Sequence, residues 1–237
     1  GTQFSYVTFA IVEGPKSHIE VVYIAGIESF KPKKLLKLMK NRKKGWFRAG
    51  VFTEKELHDD FKKVETFYLN HGFLDVSLST PAVTFSEDKS RVYIRAGLVE
   101  GPVYRFGDTS FSGNLIYTST ELVKAIEYRR GKIFSQEKYE DTVRGIQELY
   151  ADRGRLRARI SPVKTFNAAT LLMDVNYAIT EGDIVYIDHI DVEGNKATKT
   201  HVLRREIVVK PGQMFSASRL RKSRERIMNL GFIDDVD

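Results

Sequence analysis

Apolar and polar residues alternate from Val103 to Ser112, the two-residue period of a strand with one buried face. A Thr/Ser cap then opens a short helical stretch, Thr118 to Tyr128. Ser135 opens a longer one, Gln136 to Ala151, in which Tyr139, Val143, Ile146, Leu149 and Tyr150 recur at helical spacing, and Gly154 suits the reversal after it. Two further runs, Arg157 to Phe166 and Leu171 to Ile179, flank Asn167-Ala168-Ala169 and predict a hairpin. The order is β-α-α-β-β. The preceding segment repeats it, with helices near Pro32 to Lys40 and Glu54 to Asn70, then strands Val76 to Ser86 and Arg91 to Val99 around Glu87-Asp88-Lys89-Ser90.

Fixed landmarks keep this repeat in register. Glu13-Gly14, Glu100-Gly101 and Glu181-Gly182 are spaced by 87 and 81 residues, and so are Gly26, Gly113 and Gly194. Phe52, Phe134 and Phe215 are spaced by 82 and 81, which places a five-residue insertion in the first copy between Gly26 and Phe52. A last glycine recurs at Gly72, Gly154 and Gly231; the third copy is four residues shorter before it, about one helical turn, so the buried face of that helix is kept. Three copies in a row follow from these spacings.

A three-stranded sheet with two helices on one face is a two-layer α+β unit. Pro81 and Pro162 fall at matching places in the second strand of their copies. Proline donates nothing to a ladder, so this strand belongs at an edge and the third strand is central, antiparallel to the second and parallel to the first. The edge then keeps unpaired backbone groups.

The 237 residues are 42% apolar and 29% charged, a composition that buries real cores, and no stretch approaches the roughly 20 apolar residues of a membrane-spanning helix. The absence of cysteine excludes disulfides, Cys-ligated zinc and a thiol nucleophile. The net charge of +7 is local: nine of the Lys and Arg residues and no acid lie between Ser29 and Thr53, and outside that window 29 basic residues face 31 acidic ones. The segment holds Lys31, Lys33, Lys34, Lys37, Lys40, Arg42, Lys43, Lys44 and Arg48. It suits phospholipid headgroups, an acidic partner, nucleic acid, or simply a solvated face.

Repeats of this length and order, with Gly-Asn after the first strand, a Tyr-x-x-x-Gly turn before the hairpin and Glu-Gly at the end, resemble POTRA domains. The third copy carries Glu193-Gly194-Asn195, Val202-Leu203-Arg204-Arg205-Glu206, Gly212, Phe215-Ser216 and Leu230-Gly231-Phe232, and resembles the POTRA nearest the barrel in outer-membrane assembly factors. The first copy, with Gly45-Trp46-Phe47 in its insertion, resembles the third POTRA of such proteins. One position departs: Pro211 stands where some members carry an acidic residue before the loop glycine. The resemblance divides the chain into 1–17, the terminal strand of a preceding POTRA; 18–101, third-like; 102–182, fourth-like; and 183–237, fifth-like and truncated before its hairpin. Phe4 to Val12 reads as the closing strand of that preceding domain, able to pair with the sheet edge of a neighbouring molecule.

What the resemblance implies is a periplasmic arm of the bacterial outer membrane that binds unfolded outer-membrane proteins, docks accessory outer-membrane lipoproteins, precedes a C-terminal transmembrane barrel and can touch the membrane surface. The expected client edge is Val76, Ser77, Leu78, Ser79, Thr80 and Val83, and the expected docking residues are Arg204, Arg205 and Glu206, against the alternative that Arg205 and Glu206 make salt bridges within their own domain. Trp46 and Phe47 are expected to anchor their loop on the core. No catalytic residue, metal or cofactor is expected. His18, His58, His71, His189 and His201 are scattered, Asp188, Asp191 and Glu193 read as solvent-facing, and no nucleotide, hydrolase or EF-hand motif occurs. Two rivals stay open: another outer-membrane translocation pore, and an RNA-binding α+β repeat, which would place aromatic and basic residues together on an exposed sheet face. Nucleic acid is not the expected partner.

Overall fold

A computed structural model describes residues 8, 9, 16–43, 45 and 50–236. The chain divides into two compact units, Gly1–Pro102 and Val103–Asp237. The expected strand Phe4 to Val12, and Lys44, Trp46, Phe47 and Arg48 of the insertion, lie outside the described residues, Thr8 and Phe9 excepted.

In the first unit, β1 (His18–Ala25) is followed by helices α1 (Pro32–Leu36) and α2 (Glu54–Leu69), then by β2 (Ser77–Leu78), β3 (Ala82–Phe85) and β4 (Arg91–Val99). β4 is central, parallel to β1 and antiparallel to β2 and β3. Its Val92, Ile94, Ala96 and Leu98 are buried while Arg91, Arg95 and Val99 are exposed, so one face of the sheet meets the helices and the other meets solvent. Leu35, Leu57, Phe61, Val64 and Tyr68 complete the core from the helical side.

The second unit repeats the plan with β5 (Arg105–Ser112), α3 (Ser119–Leu122), a 3-10 turn at Val123–Ala125, α4 (Gln136–Asp152), β6 (Arg159–Asn167) and β7 (Leu172–Thr180), in the sheet order β5-β7-β6. Thr118 caps α3 in a reciprocal box with Glu121. The third copy contributes α5 (Thr200–Arg204) and α6 (Ala217–Met228), the latter 12 residues long against 16 in α2 and 17 in α4. Residues 184–192 form only a bridge, Tyr186 to Met214, because no partner strand for them is present among the described residues.

Equivalent bridges mark each copy: His18 to Val51, Arg105 to Ile133 and Tyr186 to Met214, and the next amide in each, on Phe52, Phe134 and Phe215, donates to Ser17, Tyr104 and Val185. These contacts, together with a bulge after Ile19 in β1 and after Phe106 in β5, cover part of the outer flank of the first strand.

Three elements differ from their expected extents. The first helix stops at Leu36 rather than Lys40, because Asp60 draws off the amides of Lys40 and Asn41 at 2.7 Å each. The helix expected over Thr118 to Tyr128 ends at Ala125, since Tyr128 leaves the helical path to stack on Phe106 with ring centroids 3.7 Å apart. The strand expected over Val76 to Ser86 is broken between Leu78 and Ala82, where Thr80 and Pro81 stand opposite the single residue Ala96.

A candidate strand-docking edge

The sequence landmarks meet in one clamp. Glu100 accepts the amides of Glu28 and Ser29, at 2.9 and 3.0 Å, the Ser29 hydroxyl, and the Tyr68 hydroxyl at 2.8 Å. Glu181 accepts the amides of Leu115 and Ile116, at 2.7 and 2.8 Å, and the Tyr150 hydroxyl at 3.0 Å. Burial pulls both carboxyls upward, but these donors outweigh it and hold each below the usual glutamate range. Gly26 and Gly113 complete the clamp: both have positive φ, and a Cβ there would collide with the carbonyl oxygens of Leu98 and Ile179 on the central strands. The clamp ties the end of the last strand to the turn after the first and to the last turn of the long helix, which fixes the sheet and leaves the second strand at its rim.

At that rim the backbone directions can be read from the ladder, since a strand turns alternate residues to alternate neighbours. Ser79 donates to Gly97 and Ser86 to Arg91, at 2.9 and 3.0 Å, so the odd-numbered residues of β4 face β2 and β3. Thr84 opposite Tyr93 and Ala82 opposite Arg95 are therefore the bonded pairs, and Val83 and Phe85 turn their N–H and C=O groups to the flank that is open among the described residues. In the second unit Arg105 donates to Leu171, so Met173, Val175 and Tyr177 face β5. Pro162, opposite Tyr177, thus sits where the backbone points outward, and no ladder bond is lost there. The open flank of β6 lacks a donor at its middle, and that of β3 does not.

The outer sheet faces also differ. In the first unit the cross-strand rows are Tyr23, Arg95, Ala82 and Val21, Tyr93, Thr84; in the second, Asn176 and Asp174 take the places of Arg95 and Tyr93. The Asn176 amide is used at both ends by β5, donating to the Ser110 hydroxyl at 2.8 Å and accepting from the Ser112 hydroxyl at 2.9 Å.

The POTRA family model, described as surface antigen variable number repeat, matches residues 17–101, 104–182 and 185–237. The chain belongs to the POTRA family. It is 29% identical over 96% of its length to outer membrane protein assembly factor BamA of Nitratidesulfovibrio vulgaris, and 28% identical over 97% to BamA of Neisseria meningitidis. It spans 30% of the length of each of these relatives. Its fold matches the crystal structure of Haemophilus influenzae BamA POTRA3-5 with a TM-score of 0.77 at 20% identity, over 94% of this chain and 88% of that one.

Within these POTRA repeats the sequence-derived site residues are scattered over distinct features. Val76 is buried ahead of β2; Ser77 and Leu78 lie in β2, Ser79 and Thr80 at the break, and Val83 in β3. Arg204 ends α5 and donates to the Ile190 carbonyl at 3.4 Å, while Arg205 and Glu206 pair at 3.0 Å. Lys40 pairs with Glu56 at 2.9 Å and Lys43 with Glu20 at 2.6 Å. Lys34 lies over the Phe30 and Phe67 rings, Arg42 donates to the Lys37 carbonyl at 3.3 Å, and Lys31, Lys33 and Lys37 are exposed. His189 sits between Asp188 and Asp191 at the surface.

One repeated position escaped the sequence reading. Asp60, Thr142 and Ser223 are all buried on the long helix, and each takes the amide of the segment leaving the short one: Lys40 and Asn41, Glu127, and Val208. Their spacings of 82 and 81 match those of the phenylalanines, and an alignment of the copies on polar positions inside apolar helix faces would have shown them. Among the described residues no group of His, Asp or Glu could hold a metal, and no helix is long and apolar enough to cross a membrane.

Proposed function

We propose that this chain is the periplasmic POTRA segment of an outer-membrane β-barrel assembly factor, that it binds unfolded outer-membrane proteins by strand addition, and that it docks accessory lipoproteins. The observation that carries the reading is the open flank of β3, where Val83 and Phe85 offer backbone donors and acceptors to an incoming strand. Backbone pairing asks for no particular sequence, so one edge serves many clients weakly, which is what a transient carrier needs. The match to BamA proteins over nearly the whole chain supports the setting. The exposed Arg204 and Arg205 at the end of α5 are the proposed lipoprotein contact, and the lysines around α1 the proposed contact with anionic lipid headgroups.

The test is an NMR titration of the chain with extended peptides taken from outer-membrane strands. Amide shifts at Val83 and Phe85 are expected; their absence would overturn the reading. Val83→Pro removes an outward donor without touching the ladder and is expected to abolish the shift at Phe85, the edge amide that variant still carries. Pro162→Val restores a donor on β6 and is expected to create a second binding edge around it.

The RNA-binding rival finds its aromatic and basic face, among the described residues, in the first repeat alone, through Tyr23, Tyr93, Arg91 and Arg95. Titration with a single-stranded oligonucleotide decides it: salt-sensitive shifts on those residues would favour that reading over the first.

A further inference from the structure

The edge of the first repeat is asymmetric in chemistry as well as in backbone supply. On the helix side its rim is apolar: Val83 and Phe85 point the same way as buried Ile94 and Val92, Phe85 is 50% exposed, and its ring rests edge-on against Phe52 at 6.0 Å. On the solvent side the rim is low and cationic. Ala82 and Thr84 are the outward residues of β3, and behind them on β4 stand Arg95 and Tyr93. The Glu20 and Asp88 carboxyls, held low by hydrogen bonds from Lys43 and from Ser86 and Ser90, are lowered further by the charge of Arg91, in the same row of β4. Arg95 is exposed and has no ion-pair partner among the described residues.

A strand added to β3 would place alternate side chains on these two sides. Those turned to the helix side would extend the Phe85 and Phe52 ledge. Those turned outward would lie two strand spacings from Arg95, about 9.6 Å between backbones, with only the Ala82 methyl in between. A glutamate and an arginine together bridge that distance, as diagonal and next-strand pairs do in sheets. In the second repeat the same place is held by Asn176, already bonded to Ser110 and Ser112, with Asp174 in place of Tyr93.

We infer that the first repeat selects among incoming strands: it takes those that alternate apolar with polar residues and carry an acidic side chain on the polar row, and Arg95 is the residue that recognises the acid. This rests on the strand-docking function proposed above and adds to it a side-chain code.

Three nine-residue peptides test the code. All share one row of Val and Tyr, and the other row carries Glu, Gln or Lys. Binding to the full chain is followed by fluorescence anisotropy at low and high salt, with amide shifts at Val83 and Phe85 locating the peptide. The Glu peptide is expected to bind about fivefold more tightly than the Lys peptide at low salt, with Gln between, and the gap is expected to narrow as salt is added. Arg95→Gln is expected to keep edge binding and lose the preference, and Arg95→Glu to invert it; both changes are at an exposed position, and unchanged amide spectra elsewhere verify the fold. Equal affinities for the three peptides at the edge, or an order that Arg95→Glu leaves unchanged, would overturn the code while leaving strand docking intact. A lack of edge shifts with any peptide would overturn both.

Discussion

Glu100 and Glu181 act at the scale of single residues, and their environment fixes how the protein responds to acid. Each is more acidic folded than unfolded, where its ordinary value is 4.5. Their contribution is therefore complete above that value and is lost as pH falls through the lower folded one. The urea midpoint of the chain is expected to drop between pH 5 and pH 3, and the drop to shrink in a Glu100→Gln, Glu181→Gln double variant, which has no charge left to titrate at either clamp. The same residues explain why the repeat could be read from the sequence at all. Glu-Gly, the turn glycines and the tyrosines survive as a spaced pattern because each has a fixed partner: Gly26 can carry no side chain beneath the Leu98 carbonyl, and Tyr68 must reach Glu100. Asp60, Thr142 and Ser223 do the same kind of work with three different side chains, so their recurrence leaves no letter pattern.

At the scale of elements, helices and strands with one clean buried face were legible, and segments governed by a single tertiary contact were not. Gln136–Asp152 and Arg91–Val99 lie within a residue of their expected ends because periodicity and caps agree there. The short helices were overestimated, since what ends them is a remote acceptor in one case and an aromatic stack in the other. The second strand lies at the edge in both units, as its proline requires, but Pro81 stands at a break between strands while Pro162 lies within one, a difference the prolines themselves do not reveal. That difference follows from the bulge, which backbone pairing decides and side-chain pattern does not. The helix-to-loop bond of Thr142 gives an element-scale prediction. Thr142→Val keeps the shape but leaves the Glu127 amide unpaired, and is expected to lower unfolding free energy by about 2 kcal/mol in urea titrations.

At the scale of the molecule, the second and third copies, which share one compact unit, are not independent beads. In the second unit, Asp152 at the end of α4 accepts the Ser216 hydroxyl at 3.1 Å and the Ser218 amide at 2.7 Å, so it serves the start of α6 in the next copy. Glu148, one turn earlier, pairs with Arg221 at 2.8 Å, and the Val185 amide donates to Gly154 at 2.8 Å. Asp152→Ala is expected to leave β6 and β7 as protected as before while raising amide hydrogen exchange across Ala217 to Met228; unchanged exchange in α6 would show that the joint does not depend on this carboxylate.

The joint also sets where the chain can gain or lose residues over time. Each residue advances an α-helix by about 100°, so a single deletion inside α4 would swing Asp152 and Glu148 a quarter turn or more away from Ser218 and Arg221. The length of α4 is in this way locked by the repeat that follows it.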